Sequence, residues 1–383
     1  MKNVLLVFGG KSYEHDISVV TAMQIYKKAR LKDINLVLFY VSRQDDFFVC
    51  DSKKTKLVDF SLKNFNKKNK AFKEVCFVSN EKKKLFLKTR FGLKEFLTCD
   101  SAIIACHGGD GENGRLVTFL EKQGIVCSAG SSEALSFCMD KFMFKSLMRG
   151  MKLPIVSGFC ISKDDYLNDK AKLEDYFKFY KFPLVIKANS GGSSIGVFIV
   201  ENVDDFNDKI KQAFEFDDKV VVEKYIKNSR EFNVAVIGDK DKVQVSEVDE
   251  PLKNNEILTF ADKYLSQGTK GEKCKGGIEN SRKNFPAQIS SELSIKLKDL
   301  ALKVFRGLGL KGIVRIDFLY DETKNKIYIC EVNAVPGSLA YYFFAKNKIV
   351  TNPLIERLVE IAHSEDFKCD IHSDYVTDIL STD

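Results

Sequence analysis

Apolar runs and polar breaks alternate along the chain with two different periods, and the switches between them outline the elements. The opening "KNVLLVFGG" is a continuous apolar run ending in paired glycines, the pattern of a buried strand followed by a tight turn. A helix is expected from near Ile17, and "INLVLFYVS" after it reads as a second buried strand. Strand, glycine turn, helix and strand in that order make the first unit of an open α/β sheet. From about Asp51 to Phe96, short apolar runs such as "EVCFVS" and "KLFLK" are broken by lysine-rich turns, which suggests hairpins decorating that sheet rather than forming its core. "CDSAIIACHGGDGENG" returns to a buried strand ending in a glycine-rich loop, and "RLVTFLEKQ" has the spacing of an amphipathic helix.

Further along, "SSEALSFCMDKFMFKSLMRG" has serines able to cap, apolar residues three and four apart and a terminal glycine, so one helix is expected. The strands "PLVIKAN" and "IGVFIV" then flank a glycine-rich loop, followed by the helix "VDDFNDKIKQAFEF" and the strand "KVVVEKYI". After the strand "EFNVAVIG" comes a long polar stretch from about Leu252 to Lys283, then a helix, the strands "GIVRIDFLYD" and "KIYICEVNAVPG", and a last helix near Leu354. Three units are expected: an α/β domain at 1–133, an α+β unit at 134–226 and a second at 227–383.

A chain of 383 residues, 44% hydrophobic, can bury a sizeable core. The net charge of +7 arises from 60 basic against 53 acidic residues, with the excess gathered in runs such as "KNFNKKNK". Aromatics do not interleave with these lysines as they do in single-strand binders, so a solvated face is the reading and nucleic acid is not an expected partner. Ten cysteines are scattered without a Cys-x-x-Cys pair, which fits reduced thiols in a cytosolic protein better than a disulfide framework. The first apolar run is too short for a signal-peptide core, and no stretch is long enough to span a membrane.

Candidate chemistry gathers in two places. In "GIVRIDFLY", Arg315 and Asp317 share one face of a strand; in "YICEVNA", Glu331 and Asn333 share a face opposite Tyr328, Cys330 and Val332. The short turn "DETKNK" makes the two strands antiparallel neighbours, so the four polar residues can converge on one patch. Oxygen ligands of this kind suit Mg²⁺; the bland alternative is a hairpin with a wet polar face. In "KANSGGSSIG", backbone N–H groups freed by Gly191, Gly192 and Gly196 can form an anion-binding concavity, with serine hydroxyls as further donors and Lys187 supplying charge. The loop lacks the Gly-Lys-Ser/Thr ending of a P-loop and runs into a strand, and its alternative is a flexible hairpin tip. Together, loop and carboxylate pair imply a nucleoside triphosphate. Lys141 in the helix and Lys263 in the polar stretch fit that picture, although snorkelling and ordinary surface charge explain either one alone.

The ordered set "FGGKSYEHDIS", "HGGDGENG", "MDKFMFK", "VIKANSGGSSIGV", "VVEKYI", "REFNVAVIG", "DKYLS", "RIDF" and "EVNAVPG" resembles the D-alanine:D-alanine ligase family of the ATP-grasp superfamily along nearly the whole chain. The resemblance implies a mixed α/β and α+β ATP-grasp fold, with an open parallel N-terminal domain and two α+β domains that sandwich ATP. It implies that Lys141, Lys187, Ser193 and Ser194 contact phosphates, that Glu223, Lys224 and Ile226 hold adenine, that Glu231 binds ribose, and that Lys263 reaches the phosphates. Asp317, Glu331 and Asn333 would hold two Mg²⁺ ions, which Mn²⁺ can replace. Glu14 would receive the first substrate's ammonium, with Ser193 and Tyr264 linked to it; His107 lies at the matching substrate edge; Arg315 and the Gly337 amide would stabilise an oxyanion.

The implied activity is ATP-dependent joining of two D-alanines through a D-alanyl phosphate, for peptidoglycan, in the cytoplasm, with small-molecule partners and the homodimeric state common in the family. The chain departs from the family after "NAVPGS", where "LAYYFFAK" replaces small hydroxyl residues and Tyr342 stands where one of them holds the second amino acid's carboxylate. A ligase using another second amino acid, such as D-serine, is therefore the nearest rival. A non-catalytic ATP-binding regulator is the rival from another class, disfavoured because it has no need of Arg315 beside a metal site.

Overall fold

The computed structural model describes residues 1–251, 283–347 and 351–364, with the side chains of all but 283 and 345–347. The first sheet contains β1 (Lys2–Gly9), β2 (Ile34–Val41), β3 (Phe47–Cys50), β4 (Phe72–Phe77), β5 (Lys84–Thr89), β6 (Gly92–Thr98), β7 (Ser101–Ile104) and β8 (Val126–Cys127), in the order β6-β5-β4-β3-β2-β1-β7-β8. The neighbours β2-β1-β7-β8 are parallel, and apolar runs such as Val4 to Phe8 are buried on both faces, as a covered parallel strand requires.

The sheet is mixed, however, not purely parallel. β3 to β6 continue it antiparallel from β2, so the lysine-rich region extends the sheet instead of decorating it. Several of its phenylalanines pack on the first strands: Phe60 and Phe65 lie 5.0 and 5.3 Å from the Tyr40 ring, and Phe60 and Phe72 are buried with Phe48 of β3. Only the edge strand β6 is exposed along most of its length, and it carries the charges Lys94 and Glu95 that discourage edge pairing.

Helices α1 (His15–Lys28), α2 (Gly109–Glu112) and α3 (Arg115–Lys122) accompany this sheet. α1 begins two residues before the expected Ile17, with His15 and Ser18 already buried. The single helix expected near residue 140 is two, α4 (Ser132–Met139) and α5 (Lys141–Gly150). Asp140 breaks it: its backbone is extended at ψ 104°, and its carboxylate accepts the Met143 N–H at 2.8 Å. Capping by a short acidic side chain outcompetes continuation of the helix, so Lys141 stands at a helix start rather than inside one.

A second, antiparallel sheet runs β11-β10-β12-β9, with β9 (Gly158–Ser162), β10 (Leu184–Ala188), β11 (Val197–Val200) and β12 (Lys219–Lys224). Helices α6 (Lys163–Asn168), α7 (Lys170–Phe179) and α8 (Val203–Ala213) accompany it, and Phe159, Ile186, Phe206 and Val222 help form a core of its own. The third sheet runs β15-β14-β13-β16-β17, with β13 (Arg230–Gly238), β14 (Val243–Pro251), β15 (Lys283–Asn284), β16 (Gly312–Asp321) and β17 (Lys326–Asn333). α9 (Ser291–Gly307) packs on β13 and β14, and α10 (Thr351–Ala362) crosses back to β7. The first and third sheets thereby share one large apolar core. Cysteines among the described residues are free, and no helix among them is long and apolar enough to cross a membrane.

Candidate active site

The β16–β17 hairpin sets Arg315 opposite Asn333 and Asp317 opposite Glu331. Arg315 grips Asp317 with a two-pronged contact, Nε to Oδ1 at 2.6 Å and Nη2 to Oδ2 at 2.7 Å, and Asn333 Nδ2 donates to Oδ2 at 3.0 Å. The four residues read from strand periodicity therefore do converge. The reading of their opposite face needs correcting, because the register slips between Asp317 and Phe318. That bulge leaves Ile329 and Val332 buried but turns Cys330 toward the polar side, where its Sγ lies 3.8 Å from Lys187 Nζ. Asn233 of β13 is a further neighbour, directly opposite Asp317; with its amide turned to donate, it lies 3.1 Å from Oδ1. Period two in "EFNVAVIG", which puts Asn233 on the face of Glu231, was the available signal.

In the glycine-rich loop the left-handed residues are Ser193 (φ 51°), Ser194 (φ 61°) and Gly196 (φ 70°), not Gly191 and Gly192. Of those two, Gly192 makes the close approach: a Cβ on it would stand 2.5 Å from Glu14 Oε2. Lys141 Nζ donates to the Gly191 carbonyl, and Asn189 accepts the Lys141 N–H with its carbonyl at 3.1 Å and the Phe142 N–H with its side chain at 2.9 Å. Asn189 is buried and fixes the loop base to the start of α5, a contact that nothing in its sequence context announced. Burial holds the Lys141 ammonium below the usual lysine range, with Glu331 partly opposing.

Glu223 is 2% exposed and lies between two cations, with Lys187 Nζ at 2.6 Å and Lys145 as its other ion-pair partner. Burial alone would raise its pKa; the two lysinium charges overturn that and pull it down to about 2. On Lys187, burial is outweighed by Cys330 and Glu223, and its pKa is raised. Lys145 was missed in the sequence, where it looked like one more lysine on an amphipathic helix. Lys224 ends β12 with its N–H on the Ser157 carbonyl at 3.0 Å, Ile226 is buried just beyond, and Glu231 lies on β13 opposite Leu319.

On the other side, Ser193 Oγ donates to Glu14 Oε1, which ties the loop to the start of α1. A cleft of about 840 Å³ opens here, lined in part by Lys11, Glu14, Gly108, Asp140 and Gly192. His107 is buried, and both its ring nitrogens are engaged: Nδ1 with the Val335 carbonyl at 2.7 Å and Nε2 with Thr21 Oγ1 at 3.0 Å. The expected substrate-edge histidine thus braces the chain before Gly337 and has no ring nitrogen left over in this arrangement. Glu112 accepts the Gly108 N–H at 2.9 Å and the Val335 N–H at 3.3 Å, and burial, with Glu14 nearby, pushes its pKa up to about 7. Gly337 opens the turn that leads to Tyr342, whose ring lies 4.7 Å from Phe343. Lys263 and Tyr264 lie outside the described residues. Among those residues no three His, Cys, Asp or Glu side chains gather as a metal cluster, so any cation at the hairpin would rely on Asp317, Glu331 and the amide oxygen of Asn333.

Comparison with known proteins covers nearly the whole chain. The family model described as D-ala D-ala ligase N-terminus matches residues 3–129, and that of the D-ala D-ala ligase C-terminus matches 147–360. A D-alanine–D-alanine ligase of Thermosipho melanesiensis is 33% identical over 94% of this chain and 93% of its own, and one of Campylobacter jejuni is 31% identical over 94% and 95%. Among solved structures, the VanG D-Ala:D-Ser ligase of Enterococcus faecalis has a TM-score of 0.78 at 22% identity, over 94% of this chain and 99% of that one. The D-alanine-D-alanine ligase of Helicobacter pylori has a TM-score of 0.71 at 24% identity, over 94% and 98%. The fold class is that of these ATP-grasp ligases.

Proposed function

Because the chain belongs to the D-ala D-ala ligase family, we propose that it joins two D-alanines at the expense of ATP, by way of a D-alanyl phosphate, to supply the dipeptide for peptidoglycan. The observation that carries this reading is the register of the β16–β17 hairpin, which puts an arginine, two carboxylates and an amide on one patch. In the first step a carboxylate oxygen of the first D-alanine attacks the γ-phosphorus of ATP, and ADP leaves with the bridging electron pair. Lys141 and Lys187 neutralise the phosphates, while the loop at Ser193 and Ser194 offers backbone N–H groups. Glu14 receives the ammonium of this substrate and is itself oriented by Ser193.

In the second step the amine of the other D-alanine, after losing a proton, attacks the acyl carbon. The tetrahedral oxyanion is stabilised by Arg315 and the Gly337 N–H, and its collapse expels inorganic phosphate. Donors aimed at a developing oxyanion are typically worth about 3 to 4 kcal/mol each. Asp317, Glu331 and Asn333 form an all-oxygen donor set that fits Mg²⁺ or Mn²⁺, although Arg315 must then release at least one Asp317 oxygen. Such an ion would supply positive charge against the triphosphate. Glu223, Lys224, Ile226 and Glu231 provide the edge for adenine and ribose.

Tyr342, in place of a small hydroxyl residue, favours a second reading in which the first step is unchanged and the acceptor is another amino acid such as D-serine. The test is to supply ATP, Mg²⁺ and D-alanine, with a panel of second amino acids, and to quantify phosphate and dipeptide. D-Alanine with itself is expected to be the best pair. Phosphate release independent of D-alanine would overturn both readings, and preference for another acceptor would overturn the first.

A further inference from the structure

Gly337 sits between two anchors. Before it, Val335 is held on both sides of its backbone, its carbonyl by His107 Nδ1 at 2.7 Å and its N–H by Glu112 at 3.3 Å. After it, Ser338, Leu339 and Ala340 are three successive non-glycine residues in the left-handed region, at φ 52°, 46° and 45°. Such residues are costly and persist only where surrounding contacts over-determine them. The contacts here are the Ser338 N–H on Thr21 Oγ1 at 3.1 Å, Ser338 Oγ on Gln24 Oε1 at 3.0 Å, and the Leu339 N–H on the Pro336 carbonyl at 2.9 Å.

Thr21 is joined to both anchors. A carbonyl only accepts, so His107 Nδ1 carries the proton and Nε2 of the neutral ring accepts from the Thr21 hydroxyl. The Thr21 oxygen then accepts the Ser338 N–H, and the direction of every hydrogen bond in the chain is fixed. Thr21 also stands seven residues after Glu14, which puts it on the same face of α1 about two turns further along. One helix thereby positions both the carboxylate for the first substrate and the turn presenting the Gly337 amide.

We propose that Thr21 is a positioning residue for the second chemical step, acting through Ser338 and His107 to hold the Gly337 N–H where the oxyanion forms. The proposal rests on the ligase reading above. Misplacement of a reacting geometry by about 1 Å costs on the order of 100-fold, so Thr21→Val is expected to lower the kcat for dipeptide formation roughly 10- to 100-fold. The KM for ATP should stay unchanged. Because D-alanyl phosphate still forms but waits for the amine, its hydrolysis should raise the ratio of ADP released to dipeptide made above that of the wild type. Thr21→Ser keeps the hydroxyl and is expected to restore kcat and ratio together.

Thr21→Ala is measured alongside, since it removes the hydroxyl without setting a second methyl against the Ser338 N–H; a thermal melt identifies which variants fold. Parallel loss of ADP release and dipeptide in a folded Thr21→Val or Thr21→Ala variant, with the ratio unchanged, overturns the assignment, as does wild-type kcat. A wild-type chain that makes no dipeptide overturns the ligase reading instead, so the two failures are distinguishable.

Discussion

Replacing Glu223 by Gln tests the electrostatics of the nucleotide edge most directly. The carboxylate is 2% exposed and held between Lys145 and Lys187, and its pKa falls from 4.5 to about 2. A fall of roughly 2.5 units at about 1.4 kcal/mol each is about 3 to 4 kcal/mol of stability at neutral pH. That agrees with the roughly 3 to 5 kcal/mol typical of removing one partner from a buried ionic group. The sign follows from the direction of the shift. A depressed carboxyl contributes fully above its unfolded pKa, near 4.5, and loses that contribution as pH falls toward 2. Urea unfolding at pH 7, 5 and 3 should show the variant about 3 to 4 kcal/mol less stable at pH 7 and 5, with the gap closing at pH 3. A gap that does not change with pH, or one below about 1 kcal/mol at pH 7, would refute the buried-triad account.

Glu331→Gln should reduce dipeptide formation at least 100-fold, on the order of losing a principal charged group at a site of phosphoryl transfer, while the far-ultraviolet circular dichroism stays unchanged; turnover equal to the wild type removes the metal assignment. Gly192→Ala forces a Cβ to within 2.5 Å of Glu14 Oε2, so the KM for D-alanine should rise while nucleotide binding, followed by calorimetry, changes less. Gly150→Ala is the matched control: its Cβ meets nothing within 4 Å at the end of α5, and it should leave the KM alone and add about 0.4 to 1 kcal/mol of stability.

The polar hairpin was legible in the sequence because one short turn fixes the pairing of two strands and period two fixes their faces. The same rule misplaced Cys330, since a bulge adds a residue without leaving any mark in the apolar pattern. The break at Asp140 was legible in principle, as an acidic cap, but lay inside a run whose three-and-four spacing continued across it. Lys145 and Asn189 were hidden for another reason: their roles come from partners 78 and 47 residues away, and neither residue type is unusual where it stands. Thr21 is the extreme case, joined to Ser338 across 317 residues. No local window contains such a contact. The mixed first sheet was missed because lysine-rich turns around short aromatic runs look like peripheral hairpins until the aromatics are seen to share a core with Tyr40.

These long-range contacts give the two sides of the site different mechanical support. The first and third sheets share one apolar core, and the contacts from Thr21, His107 and Glu112 to the turn at 335–338 lie across that shared body. The central sheet has its own core, and its contacts with the rest include the Tyr13–Phe216 ring pair and polar contacts of the glycine-rich loop and its lysines, among them Ser193 with Glu14 and Lys187 beside Cys330. Apolar packing is dense and discrete, whereas a few hydrogen bonds at about 0.5 to 1.5 kcal/mol each are easily exchanged for water or phosphate. The joint therefore runs through the groups that would hold ATP, with Lys187 and Glu223 on the central sheet and Glu231 and the Asp317–Glu331 patch on the third. Glu14 stands on that joint, since its carboxylate belongs to the rigid body and its orienting hydroxyl to the loop. On the ligase reading, the Ser193–Glu14 contact and the close approach of Gly192 to the same carboxylate would couple first-substrate binding to loop placement.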